Sequence, residues 1–186
     1  MRILIAMILT LTCLFGCASG NDGIADGLKL REQMTKGNGC SFVASVTADY
    51  GNRMYSFTMD CVAKTDGTVD FMITEPESIK GIKGSVSQSG GKLLFEDTVL
   101  LFDSLTSNQI TPAIAPYLMV KAIQGGYIQS ASSDNESVEI TLNDSFRSEG
   151  FQAIVTLVDN CAPIRCEIFS NNRRILTISV KNFELL

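Results

Sequence analysis

Histidine and tryptophan are both absent from this sequence of 186 residues. Without histidine the chain cannot form a Ser-His-Asp triad, a Cys-His pair or the common histidine-containing zinc sites. The 20 acidic side chains outnumber the 15 basic ones, so the formal net charge is −5 and no basic surface for nucleic acid is expected. The carboxylates are spaced as in turns and strand ends, not as an acid/base pair across a cleft. We therefore expect a protein that is not an enzyme, with no metal, no cofactor and no nucleic-acid partner.

The first sixteen residues, 1–16, have the layout of a secretory signal peptide. Arg2 supplies one positive charge, and the apolar run after it is shorter than the roughly 20 residues that span a bilayer. The ending Leu14-Phe15-Gly16-Cys17 resembles the lipobox of bacterial lipoproteins. That resemblance implies transfer of a diacylglycerol to the Cys17 thiol and cleavage before it. An ordinary cleaved signal peptide is the alternative.

A short polar segment, residues 17–23, follows and is typical of a flexible tether. Two or three acyl chains on one cysteine, palmitate among them, would hold the protein stably on a membrane. We expect residues 24–186 to form one domain on the extracytoplasmic face of the cell envelope, in the outer leaflet of a plasma membrane or in an outer membrane. Neither a domain boundary nor a repeat is visible within it.

Four cysteines lie beyond the tether, an even number that suits disulfide bonds in an oxidising compartment. Cys40 and Cys61 flank a predicted hairpin, and a register centred on its turn places them opposite one another. Cys161 and Cys166 lie on either side of Pro163, and the sequence between them predicts a tight turn. We predict a disulfide bond within each pair. Two free buried thiols are the alternative for the first pair, and a redox or metal pair is the alternative for the second.

Alternating apolar and polar residues dominate from residue 40 onward, a pattern typical of half-buried strands. Turn signals such as Asp66-Gly67 recur at short intervals. Helical patterns cover residues 24–36 and 115–123. Together these patterns predict a mainly β protein of the α+β class, with one antiparallel sheet of ten or eleven strands, an N-terminal helix and a helix inserted in mid-chain.

The order of these elements resembles the LolA/LolB-like superfamily of periplasmic lipoprotein carriers and receptors. Residues 75–82, Glu-Pro-Glu-Ser-Ile-Lys-Gly-Ile, resemble the passage after its third strand, and residues 94–97 resemble the strand that follows. The C-terminal part of the sequence, from Pro163 to Asn182-Phe183, resembles the C-terminal end of that superfamily. The resemblance covers most of residues 24–186. It implies a curved, unclosed half-barrel with helices, one of them a lid, on its concave face and an apolar cavity that holds acyl chains.

Large apolar side chains on the predicted strands and on the mid-chain helix are the candidates for lining such a cavity, and an ordinary place in the core is the alternative for each. The leading hypothesis is a membrane-anchored lipoprotein that binds a lipid or another hydrophobic ligand. The alternative is a structural or signalling lipoprotein with a filled core, whose outer surface docks a protein partner of unknown identity. The candidates are Phe42, Phe57, Met59, Phe71, Phe95, Tyr117, Leu118 and Met119.

Overall fold

The computed structural model describes most of the predicted domain. The predicted signal peptide lies outside the described residues, and so does Cys17. No helix in the described part is both long enough and apolar enough to cross a membrane. The described residues are 21–102, 111–134, 136–144, 150–158 and 161–186.

Two helices and eleven strands make up this part of the chain, and their positions agree closely with the predicted pattern. In chain order they are α1 (Asn21–Lys36), β1 (Cys40–Asp49), β2 (Met54–Ala63), β3 (Val69–Glu75), β4 (Lys83–Ser87), β5 (Gly90–Phe95), β6 (Thr98–Phe102), α2 (Ala115–Gly125), β7 (Tyr127–Ser133), β8 (Val138–Asn143), β9 (Gln152–Val158), β10 (Ala162–Ser170) and β11 (Arg173–Leu185).

All eleven strands belong to one antiparallel sheet in the order β6-β5-β4-β3-β2-β1-β11-β10-β9-β8-β7. The first and last strands of the chain, β1 and β11, therefore pair at the centre of the sheet. The edge strands β6 and β7 do not pair with each other, so the sheet does not close into a barrel. The predicted fold class, a mainly β protein with an unclosed sheet and two helices, is confirmed.

Both helices lie on one face of the sheet, which we call the inner face; it is buried beneath them but exposed at β5 and β6. Along β1 every second side chain from Cys40 to Ala48 is buried, as the alternating sequence predicts. Helix α2 packs across the middle of this face, against strands on both sides of β1. Eight of its eleven residues are buried, so it fills the core on every side.

Helix α1 packs on the sheet through one side that contains two glycines and two larger apolar residues. Its buried positions are Gly23, Gly27, Leu30 and Met34, which recur at helical spacing. A Cβ atom placed on Gly27 would lie 2.7 Å from the Cδ1 of Ile140 on β8. The glycines therefore let the backbone of α1 lie directly on β7 and β8.

Arg31 connects the two helices. Its Nε donates a hydrogen bond to the carbonyl of Ile123 at 2.7 Å, and its Nη2 donates another to the carbonyl of Gly126. Carbonyls at a helix C-terminus have no partner within the helix, and a cation there also interacts favourably with the helix dipole. Burial lowers the pKa of Arg31, but a guanidinium still stays charged at neutral pH.

We expect Arg31→Ala to lower the free energy of unfolding by about 2 kcal/mol, because two hydrogen bonds from a charged donor are lost and two carbonyls lose their partner. Urea unfolding followed by circular dichroism measures the change. Lys36→Ala on the same helix is the control, since that side chain is 75% exposed in a surface ion pair and its loss should leave the midpoint almost unchanged. Equal midpoints for the two variants would contradict the role given to Arg31.

Candidate ligand groove and the buried cysteines

The predicted cavity residues lie mostly in the packed core. Six of the eight are at most 4% exposed and belong to the main apolar cluster, while Phe57 is half-buried against it and Phe95 is 46% exposed. A cavity between α1 and the inner face has a volume of about 10 Å³, enough for roughly one water, and none of the eight lines it. The six that pack in the core are Phe42, Met59, Phe71, Tyr117, Leu118 and Met119.

A much larger groove lies on the opposite face of the sheet, which we call the outer face. Its volume is about 620 Å³, within the range of ligand pockets, and its surface is mostly apolar. The strand register places the lining side chains in two rows that cross β1 to β5. The first row is Ser41, Val62, Asp70, Ser85 and Lys92, and the second is Val43, Asp60, Met72, Lys83 and Leu94.

The apolar part of the groove consists of exposed side chains on three of its strands. Val62, Met72 and Leu94 come from β2, β3 and β5, and each has more than a third of its surface exposed. Phe42 and Phe71 also border the groove, but their side chains are buried on the inner face, so they border it through the backbone. The groove thus offers several apolar side chains that the described part of the chain leaves uncovered.

Charged side chains lie around these apolar side chains and also between those of β3 and β5, where Lys83 lies in the second row. The Nζ of Lys64 lies 2.8 Å from the Oδ2 of Asp70. That hydrogen bond, together with one from Ser85, holds the pKa of Asp70 below its ordinary value, so the carboxylate is ionised at neutral pH. Lys83 and Lys92 are exposed at the β4–β5 side of the groove. The arrangement suits a molecule with a long apolar part and a polar end.

Sequence reasoning missed the groove, because period-two alternation assigns apolar residues to the inner face alone. The available signal was a departure from that alternation. The run Phe71-Met72-Ile73 on β3 and the run Leu93-Leu94-Phe95 on β5 each place an apolar side chain on the outer face as well. Apolar residues on both faces of a strand indicate that each face meets something other than water.

The four cysteines of the domain are free, buried thiols in this structure, which differs from the predicted disulfide bonds. In the observed register Cys40 faces Ala63 and Cys61 faces Phe42, so the two thiols lie diagonally instead of opposite one another.

The second pair does not bracket a turn: residues 162–170 form β10, so Cys161 directly precedes this strand and Cys166 lies within it. Five steps along extended chain place the Cα atoms of the two cysteines about 16 Å apart, far beyond the reach of a disulfide bond. Among the described residues no group of three or more metal-ligating side chains occurs.

Burial keeps these thiols protonated. It raises the pKa of Cys40 to about 12. The pKa of Cys61 is raised by burial, and further by Asp60 and by Cys40. At Cys161 burial again raises the pKa, and the Asp26 carboxylate, which accepts a hydrogen bond from Sγ at 3.5 Å, raises it further. Since the thiolate is the reactive form, all of these groups are poor nucleophiles.

No protein-family model matches the chain, and neither does any curated protein. Solved structures do resemble it. A LolA superfamily protein from Nitrosomonas europaea has 10% identity over 91% of this chain and 94% of its own, with a TM-score of 0.46. LprF from Mycobacterium bovis has 10% identity, coverages of 89% and 95%, and a TM-score of 0.46. The lipoprotein LppX from Mycobacterium tuberculosis has 13% identity, coverages of 86% and 94%, and a TM-score of 0.41.

The sheet and helices described above form the architecture that the resemblance predicts. The identities and scores are low, so what this chain binds has to be inferred from its own residues.

The unreduced, folded protein should leave the four domain cysteines unlabelled by a thiol reagent at pH 8, because they are buried and protonated. The same protein in guanidinium chloride should be labelled at all four. Mass spectrometry of the peptides identifies each site. Cysteines that stay unlabelled after denaturation, and become labelled only after reduction, would establish the disulfide bonds instead.

Proposed function

We propose that this chain is a lipoprotein, anchored through Cys17 on the extracytoplasmic face of the cell envelope, that binds a lipid or a similar molecule with an acyl chain in the outer groove. The carrying observation is the groove itself, about 620 Å³ and mostly apolar, on the face that no described helix covers. This location replaces the inner cavity that the sequence resemblance implies.

The energetics favour an elongated apolar ligand. Each buried methylene contributes about 0.8 kcal/mol, and covering Val62, Met72 and Leu94 removes further apolar surface from water. The lysines at one end of the groove and the carboxylates along it leave places for a polar end group to stay hydrated or paired. A flat polar molecule would gain much less from this surface.

The packed inner face favours a second candidate function. Six of the eight predicted cavity residues pack in the core, as expected of a protein with a filled core that makes its contacts through its outer surface. In a structural or signalling lipoprotein, a protein partner would bind in the same groove in place of a lipid. The two candidates differ in what cross-links to β2–β5.

A photoactivatable fatty acid incorporated into membranes that carry the full chain should label peptides of β2 to β5. We expect Met72→Asp to reduce this labelling about tenfold, which corresponds to roughly 1.4 kcal/mol, because a carboxylate is placed in the apolar part of the groove. Met54→Asp is the matched control, since Met54 is 68% exposed on β2 and does not line the groove.

Labelling that is unchanged by Met72→Asp would rule out the groove as the lipid site. Absence of labelling, together with a stoichiometric protein cross-link to the same strands, would favour the second candidate.

Replacement of the lipidated cysteine tests the anchor separately. Cys17→Ser should abolish incorporation of labelled palmitate and move the protein from the membrane fraction to the aqueous one, because no acyl chain can be attached. Metabolic labelling and fractionation measure both effects. A wild-type chain without label, cleaved at a site other than Cys17, would contradict the anchor.

A further inference from the structure

Strand β6 is an edge strand with exposed apolar side chains on both faces. Val99 and Leu101 are 57% and 80% exposed on the outer face, and Leu100 is 59% exposed on the inner face. In the described part of the chain β5 is the one strand that pairs with β6. Within the described residues, β6 therefore combines an edge that no strand pairs with and an exposed apolar surface.

Edge strands of monomeric proteins are usually protected by charged residues, prolines or bulges. Residues 98–102, Thr-Val-Leu-Leu-Phe, contain no charge and no proline, and their ladder with β5 has no irregularity. The opposite edge is different, because β7 has the sequence Tyr-Ile-Gln-Ser-Ala-Ser-Ser and is polar along most of its length. Strand β6 is thus the more apolar of the two edge strands, and its residues 98–102 have none of these protective features.

The hairpin geometry determines which backbone groups of β6 are free. Phe95 and Thr98 flank a two-residue loop, so they form a hydrogen-bonded pair. Because such pairs alternate along an antiparallel ladder, Leu100 also bonds to β5 while Val99 and Leu101 do not. The N–H and C=O groups of Val99 and Leu101 point away from the sheet.

We propose that β6 pairs with β6 of a second copy of this chain, antiparallel about a two-fold axis at Leu100. In this register Val99 faces Leu101 of the second copy, and the four outward groups of each strand are used in two hydrogen-bonded pairs. A two-fold axis at any other residue of β6 would leave outward N–H and C=O groups of Val99 or Leu101 without a partner within the strand. The proposal uses β6 alone and is independent of the groove ligand.

The side chains complement this register. On the outer face Val99 contacts Leu101 of the second copy, and on the inner face the two Leu100 side chains meet at the axis. Such apolar cross-strand pairs stabilise antiparallel sheets, and no like charges within the strand oppose one another. The most exposed apolar residue of the described chain, Leu101, thereby becomes covered.

Cysteine cross-linking of the full chain in membranes tests the register. At the axis the two Leu100 residues form a non-hydrogen-bonded pair with Cα atoms about 4.5 Å apart, which suits a disulfide bond. We expect Leu100→Cys to give a disulfide-linked dimer under mild oxidation. The wild-type chain and Met54→Cys, an exposed position on β2, should not.

A second substitution then removes the pairing without touching β5. Val99→Pro deletes an N–H that points outward, so the hairpin keeps its own hydrogen bonds. We expect it to reduce the Leu100→Cys dimer at least fivefold, and Leu101→Lys to do the same by placing a charge against Val99 of the second copy. A Leu100→Cys dimer no stronger than that of Met54→Cys, or one that persists with both substitutions, would overturn the proposal.

Discussion

The structure depends on one constraint: a single sheet of eleven strands has two faces, and its two described helices lie on one of them. Helix α2 fills the middle of the inner face, and Arg31 of α1 holds the C-terminal end of α2 through two carbonyls. The glycines of α1 then allow it to lie on β7 and β8. The helices cover the middle of the inner face and its β7–β8 side, so among the described residues most of the exposed large apolar side chains lie on the outer face and on the β5–β6 hairpin.

Much of this architecture follows from the sequence, because alternation is a local signal. Helix α1 ends at residue 36 as the pattern predicts, and the eleven strands fall within the predicted number of ten or eleven. The register is a different matter. A shift of two residues keeps each side chain on its own face, so the pattern around Cys40 and Cys61 fits the predicted and the observed pairing equally well. At Pro163 an irregularity in the ladder allows a proline within β10, where the sequence suggests a turn.

The site was harder to predict than the fold, because apolar patterning distinguishes faces but not cavities. The positions of Phe42 and Tyr117 fit the same sequence pattern whether these side chains line a ligand cavity or pack in a filled core. In this structure they pack in the core, because the side chains of α2 fill the space above the sheet. The outward position of Met72 could be read from its neighbours along β3. Its place in the same row as Leu94 depends on the pairing of β3, β4 and β5. The segment that contains Pro76 joins β3 to β4, and the sequence does not specify its conformation in detail.

The β5–β6 hairpin connects the two surfaces that remain. Leu94 on its first strand lines the groove, and Val99 on its second strand lies directly across from Leu94 on the same face. Pairing of β6 with a second copy would add Leu101 of that copy to the same row, so the apolar surface of the groove would continue from one copy into the next. An acyl chain longer than one groove would then contact both copies, and its affinity would depend on their association. If both proposals hold, the ligand and the second copy bury adjacent side chains of one hairpin, Leu94 and Val99, and each would then favour binding of the other.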